Sequence, residues 1–256
     1  MSASWLSRLA DAAREDRPPA GGDALALLGS DEEELLDVIA AAVALRRRHF
    51  GNRVKLNSLI SMKSGGCPED CGYCSQRRGS EAEVLSYPWL DAEEAARLAA
   101  QAAERGAKRV CLVASGRAPS GRDLRRAAAA IAAIRSRLPE LEICVSLGLI
   151  GSEGAEALRA AGASAYNHTL NTAEGRYVEI CTTHGYADRK AAARRAQGAG
   201  LSLCSGAIFG MGEGDSEVIE LALALRELGP DSVPVNFLVP FEGTPLQGAW
   251  ELSPQR

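Results

Sequence analysis

The sequence predicts an α/β protein built as a partial (β/α) barrel of the TIM type, and two observations lead there. Short apolar runs alternate with Ala-, Leu-, Arg- and Glu-rich stretches of helical period, the pattern of right-handed βαβ units around a parallel sheet. Within the runs, one parity is apolar and the other is small or polar. A parallel sheet covered by helices on both faces would be apolar on both, whereas a curved sheet can turn its polar faces toward a shared lumen. An antiparallel sheet with one wet face would show the same parity, but the intervening helices disfavour it.

The elements follow in order. Residues 1–22 read as a short helix and a linker through Pro18, Pro19, Gly21 and Gly22. Residues 31–49 read as a helix with acids at its start and Arg46, Arg47, Arg48 and His49 at its end, as the helix dipole favours. Six strand candidates cover 54–62, 108–115, 142–148, 164–170, 201–208 and 232–239. Helical stretches at 91–105, 121–137, 152–161, 187–198 and 215–228 lie between most of them. The polar parity collects Asn57, Ser61 and Lys63 on the first strand and Cys144, Ser146 and Gly148 on the third. It continues with Asn167, Thr169 and Asn171 on the fourth, Ser202, Cys204 and Gly206 on the fifth, and Asn236 on the sixth. Cys111 shares its face with Val113 and Ser115, a less polar set. A closed barrel of this kind has eight strands, and the sixth run ends near Val239. The expected organisation is therefore N-terminal helices and linker over 1–50 and a barrel core over 51–256, truncated before closure with its C-terminal strands missing.

Composition narrows the function. The chain has 256 residues, 29 Lys+Arg against 33 Asp+Glu and a net charge of −4, with both signs interspersed. Nothing in that balance points to nucleic acid or to an anionic membrane. No run approaches the ~18 apolar residues of a membrane span. The first 22 residues carry Asp11, Glu15 and Asp16 and lack an apolar core, so neither a secretion signal nor a transit peptide is expected. A cytoplasmic location follows, and with it reduced thiols: the seven cysteines read as metal ligands before they read as disulfides.

The strongest local signal is SGGCPEDCGYCSQ, directly after the first strand. Cys67, Cys71 and Cys74 stand with three and then two residues between them, and Gly65, Gly66, Pro68 and Gly72 let a tight loop turn the thiols to one point. Structural zinc asks for four ligands, and no fourth Cys or His lies nearby in sequence. A 4Fe–4S cubane held by three thiolates keeps one iron without a protein ligand, open to an external molecule. Cys111, Cys144 and Cys204 sit far apart in sequence on the second, third and fifth strands, where singly each is a buried structural thiol; together, in polar register along a barrel, they favour a second cluster. Cys181, in EICTTHGYADR, lies outside those faces and reads as a thiol without a role. His49, His168 and His184 show no metal-type pairing and read as structural, His168 at most as a support behind the site.

The cysteine loop resembles the signature of radical S-adenosylmethionine enzymes. CPEDCGYCSQ, YNHTLNT, CSGAIFGMGE and VPVNFLVPFEGTPL, over about residues 45–248, resemble the biotin synthase family within them. The resemblance implies that Cys67, Cys71 and Cys74 hold a 4Fe–4S cluster whose open iron takes the amino and carboxylate groups of S-adenosylmethionine. An electron passed through the cluster then yields methionine and a 5′-deoxyadenosyl radical. It implies that Cys111, Cys144 and Cys204, with an arginine, hold a 2Fe–2S cluster that donates sulfur to dethiobiotin. It further implies cofactor contacts at Tyr73, Thr169, Asn171, Gly210 and Glu213 and substrate contacts at Asn167 and Asn236. Many relatives carry Asn where this chain has Thr169, which keeps a hydroxyl but loses the amide fork. A flavodoxin or ferredoxin as electron donor and a homodimer are the implied partners. No residue matches the family's cluster arginine, so the chain as given is expected to hold the 4Fe–4S cluster poorly, to assemble no stable second cluster and to make no biotin. Two alternatives stay open: another radical enzyme of the same subgroup, with no need of Cys111, Cys144 and Cys204, and a non-catalytic iron–sulfur redox protein, with no need of the polar lumen.

Overall fold

The structure is a computed structural model that describes residues 4–249 and Leu252. Residues 1–3, 250, 251 and 253–256 lie outside the described residues. The chain opens with α1 (Ser4–Arg14), α2 (Gly21–Leu28) and α3 (Leu35–Phe50). α2 begins at Gly21, in the stretch expected to be linker. A tertiary contact explains it: Asp23, in the first turn of α2, is buried against Arg8 of α1. Asp31 caps the approach to α3, its Oδ1 accepting from the N–H groups of Glu33 and Glu34.

Strand and helix then alternate as expected: β1 (Asn57–Lys63), α4 (Ala92–Glu104), β2 (Arg109–Ala114), α5 (Gly121–Arg137), β3 (Glu142–Ser146), α6 (Ser152–Ala160) and β4 (Ala165–Asn167). A short α7 (Tyr177–Ile180) precedes α8 (Tyr186–Gly198), β5 (Ser202–Cys204), β6 (Ala207–Phe209), α9 (Asp215–Leu228) and β7 (Val235–Phe237). β1 to β5 form one parallel sheet in chain order, and β6 pairs with β7. Single bridges from Asn171 to Ala207 and from Cys204 to Ser232 join the two into a continuous curved sheet. Among the described residues there are thus seven strands, not six. The expected strand 201–208 breaks at Ser205–Gly206 because the chain there changes partners and passes against the Pro234 carbonyl. A Cβ on Gly206 would stand 1.9 Å from that oxygen, so only glycine allows the approach.

In β2 and β3 the parity separates the two faces as the sequence implied, whereas in β7 the apolar Val235 and Phe237 are exposed. Val110 and Leu112 of β2 and Ile143 and Val145 of β3 pack under Ala95 and Ala99 of α4, Ile131 and Ile134 of α5 and Leu158 of α6. Leu170, Leu203 and Ala207 pack with Leu221, Leu225 and Leu228 of α9 and Ala193 of α8 in a second core. The small alanines on the helices let them lie close to the sheet, and the opposite parity is left facing the lumen. No helix among the described residues is long and apolar enough to cross a membrane.

Candidate iron–sulfur and nucleoside site

The lumen is a cavity of about 330 Å³ lined by Ser61 and Lys63 of β1, Val113 of β2, Ser115, Ser146 of β3, Gly148, Asn167 of β4 and Thr169. Cys67, Cys71, Tyr73 and Cys74 line the same space. The loop that carries them is fastened at both ends. Ser115 Oγ donates to the Gly65 carbonyl at 2.7 Å, and Gln76 Oε1 accepts from the Gly65 N–H at 2.8 Å. Gly65 sits at φ +78°, where a side chain would also collide with Ser86.

On its far side the loop is clamped to the segment after α7. Gly72 N–H donates to the Ile180 carbonyl at 2.8 Å. The Asp70 carboxylate accepts from the N–H groups of Thr182 and Thr183 at 2.9 and 3.2 Å and from both threonine hydroxyls. Burial alone would raise the Asp70 carboxyl, but these donors outweigh it and hold the group well below the usual carboxylate range. The clamp fixes Cys71 between its neighbours. Burial pushes the Cys71 thiol up to about 12, so a metal must displace its proton.

The donor set fits a cubane. Three thiols on a glycine-bearing loop open to one cavity, yet they are not all within 4.8 Å of one another; among the described residues, only Cys71, Cys181 and His184 meet that test. A single ion would draw three ligands that close, whereas a cluster holds them apart. The second set fits as well. Cys111 and Cys144 are register partners on β2 and β3, and Cys204 accepts from Asn167 Nδ2 at 3.4 Å. A hydrogen bond with Cys111, and then burial, push the Cys144 thiol upward. Burial and the nearby Cys144 do the same to Cys204. Cys144 thus stands beside both Cys111 and Cys204, although none of the three lines the cavity that holds Cys67, Cys71 and Cys74; three thiols so placed are a donor set that suits an iron–sulfur cluster.

The nucleoside candidates are only partly brought together. Thr169 donates to Asn171 Oδ1, and Asn171 Nδ2 donates to the Tyr73 hydroxyl at 2.6 Å. Asn171 holds φ +74°, a left-handed conformation that asparagine tolerates better than most residues. Gly210 and Glu213 do not line the cavity: the Glu213 carboxylate closes its own turn on the Gly210 and Met211 N–H groups at 2.6 and 2.9 Å. Asn236 also stays outside, exposed and donating to the Ala207 carbonyl at 3.2 Å.

Sequence reasoning missed what lies beneath Tyr73. Arg189 of α8 is buried and lines the cavity. It donates from Nε to the Tyr177 hydroxyl at 2.6 Å and from Nη2 to the Tyr73 hydroxyl at 3.3 Å, and its Nη1 stands 3.4 Å from His168 Nε2. Burial works against its charge, but the two tyrosines outweigh that and keep it a cation. Burial, reinforced by Arg189, pushes His168 well below its ordinary range, so it is neutral. Among the described residues no carboxylate pairs with Arg189. A signal was present: Arg189 shares a helical face with Ala192, Ala193 and Ala196, which are all buried. His184 and Cys181 were missed too. His184 faces Glu69, and its Nε2 stands 2.8 Å from the Tyr177 hydroxyl, while the Cys181 sulfur lies 3.7 Å from that of Cys71. Cys181 is therefore no bystander in position.

The Radical SAM superfamily model matches residues 62–225. "Biotin synthase 2" of Frankia casuarinae is 55% identical over 251 residues, which cover 98% of this chain and 70% of that protein. The biotin synthase of Streptomyces avermitilis is 56% identical over 93% of this chain and 61% of its own length. The chain spans between about half and 70% of the length of such relatives. Among solved structures, methylornithine synthase superposes with a TM-score of 0.86 at 26% identity, over 97% of this chain and 73% of that one. The FeFe-hydrogenase maturase HydG of Carboxydothermus hydrogenoformans superposes with a TM-score of 0.80 at 24% identity, over 98% of this chain and 60% of that one, which shows the shared fold. The chain belongs to the Radical SAM superfamily and, within it, to the biotin synthase family.

Proposed function

We propose that this chain supplies the two-cluster lumen of a biotin synthase, the enzyme that inserts sulfur into dethiobiotin. The observation that supports the reading is two sets of three thiols: Cys67, Cys71 and Cys74 line the cavity, and Cys111, Cys144 and Cys204 lie on β2, β3 and β5 of the sheet beside it. Cys111 and Cys144 lie in register within β2 and β3, and the cysteine loop begins beyond the C-terminal end of β1. Lys63 at that end pairs with Ala114, three residues past Cys111, so the loop starts on the C-terminal side of that cysteine. Cys67, Cys71 and Cys74 would hold a 4Fe–4S cluster, and Cys111, Cys144 and Cys204 a 2Fe–2S cluster. When bound, the first would supply the electron for cleavage of S-adenosylmethionine and the second would supply sulfur.

The chain's own residues bind and orient. Arg189, a buried cation without a carboxylate partner, meets the methionine carboxylate of S-adenosylmethionine. Tyr73, Thr169 and Asn171 offer neutral hydroxyl and amide groups to the nucleoside, and Asn167, beside Cys204, faces the dethiobiotin end. The packed lumen walls keep water from a radical. A low-potential electron donor of the flavodoxin or ferredoxin kind, a homodimer and a cytoplasmic setting belong to the same proposal, as does the division near residue 50 between N-terminal helices and barrel core. β7 leaves Val235 and Phe237 exposed, and we propose that strands pairing there are needed to complete the second site.

Anaerobic reconstitution with iron and sulfide, followed by reductant, S-adenosylmethionine and dethiobiotin, tests the reading by mass detection of 5′-deoxyadenosine and biotin. One arm uses the chain, and one uses the chain joined to the C-terminal segment of a longer relative. Dethiobiotin-dependent 5′-deoxyadenosine, with biotin at least in the joined form, is the expected result. Cleavage indifferent to dethiobiotin in both arms would favour a different small molecule, and clusters without cleavage would favour a redox protein.

A further inference from the structure

We propose a second, mutually exclusive use of Cys71: with Cys181 and His184 it forms a site for a single tetrahedral divalent ion of the zinc class. All three residues are buried and their donor atoms lie within 4.8 Å of one another. The Cys71 and Cys181 sulfurs are 3.7 Å apart. Zinc–sulfur bonds of about 2.3 Å at tetrahedral angles give a sulfur–sulfur edge of about 3.8 Å. Cys181 Sγ is 3.3 Å from His184 Nδ1, close to the corresponding sulfur–nitrogen edge. Two carboxylates stand beside the triad as candidates for a fourth ligand. Asp70 Oδ1 is 3.3 Å from Cys181 Sγ, and Glu69 touches His184. Two soft thiolates with imidazole and an oxygen suit zinc or cobalt and are a poor set for magnesium or calcium.

Binding displaces the two thiol protons to solvent and changes no oxidation state. Because one sulfur cannot leave the cubane and remain its ligand, an ion here excludes the 4Fe–4S cluster. Zinc would hold the loop in its clamped position while blocking cluster assembly, a metal-sensitive control on activation. The competition rests on the assignment of Cys71 to the cluster; the ion site does not.

The test uses the apo chain, prepared anaerobically, with Zn(II) uptake measured by mass spectrometry and Co(II) uptake by absorption. One ion per chain is expected, with the ligand-field bands of tetrahedral cobalt and thiolate charge transfer. Cys67→Ala and Cys74→Ala should retain it. Cys181→Ser and His184→Ala should weaken it by more than about a hundredfold, beyond the loss typical of outer-shell changes, with folding confirmed by circular dichroism. Retention in Cys181→Ser together with loss in Cys67→Ala would place the ion on the loop thiols and overturn the proposal. Absence of stoichiometric uptake would do the same. Prior zinc loading should prevent cubane formation in the unsubstituted chain and not in Cys181→Ser; equal assembly in the zinc-loaded unsubstituted chain refutes the competition. Failure of a cubane to form both in the zinc-free chain and in the chain joined to the C-terminal segment of a longer relative would instead count against the cluster assignment, whatever the zinc result.

Discussion

Replacing Arg189 with Met should separate stability from function. The guanidinium contacts the hydroxyls of Tyr177 and Tyr73. Each keeps another partner once it is gone: Tyr177 retains His184 at 2.8 Å and Tyr73 retains Asn171 at 2.6 Å. Methionine fills much of the same volume without a charge, so the desolvation cost of an unpaired buried cation disappears and few polar groups are orphaned. The ligand-free protein should therefore be unchanged or about 1 kcal/mol more stable. The bound state loses a buried charge pair with a carboxylate, worth about 2–5 kcal/mol, which is roughly 30-fold to a few thousand-fold in affinity. Equilibrium dialysis of the reconstituted protein against S-adenosylmethionine and against its decarboxylated analogue measures this. Arg189→Met should weaken the first by that factor and leave the second nearly unchanged, and Arg189→Lys should fall between. Equal losses for both ligands, or an unchanged Kd for S-adenosylmethionine, would refute the reasoning.

The other expectations concern the clusters, the fold and pH. In the chain joined to the C-terminal segment of a longer relative, Cys67→Ala, Cys71→Ala and Cys74→Ala should each abolish 5′-deoxyadenosine formation, whereas Cys111→Ala, Cys144→Ala and Cys204→Ala should largely spare it and remove the auxiliary iron signal; unchanged auxiliary Mössbauer signals would exclude those ligands. Gly206→Ala, forcing a Cβ to within 1.9 Å of the Pro234 oxygen, should cost about 3 kcal/mol in urea unfolding, and a midpoint equal to wild type would contradict the packing. Asp70, whose carboxyl the Thr182 and Thr183 donors hold below the usual carboxylate range in the folded chain, stabilises the loop clamp fully above about pH 4 and progressively less as pH falls below it. Asp70→Asn should flatten that part of the stability–pH curve, and an unaltered curve would remove the clamp's role.

How much of this was legible in the residues follows from what each signal depends on. Parity is a local property of a strand, so Ile143 and Val145 against Cys144 and Ser146 told lumen from helix layer without any tertiary knowledge. The cysteine loop was legible for the same reason, since its spacing is contained in eight residues. The break between β5 and β6 was not, because it is imposed on Gly206 by Pro234 from the next unit. α2 was hidden in a Pro/Gly stretch because its formation leans on the Arg8–Asp23 contact. Cys181 seemed idle because its partner, Cys71, lies 110 positions away. Gly210, Glu213 and Asn236 came from resemblance alone, and the hydrogen bonds of Glu213 within its own turn show why no local rule marked them as ligand contacts.

The central claim is that three loop thiols hold a cubane with one iron left for S-adenosylmethionine. Mössbauer spectroscopy of the chain joined to the C-terminal segment of a longer relative, reconstituted with ⁵⁷Fe and recorded before and after adding S-adenosylmethionine, tests it most directly. The account predicts a 4Fe–4S spectrum in which a single iron site shifts on addition of the ligand, and no such spectrum in Cys71→Ala. A cubane that does not respond to S-adenosylmethionine, or one that survives the loss of Cys71, would contradict it.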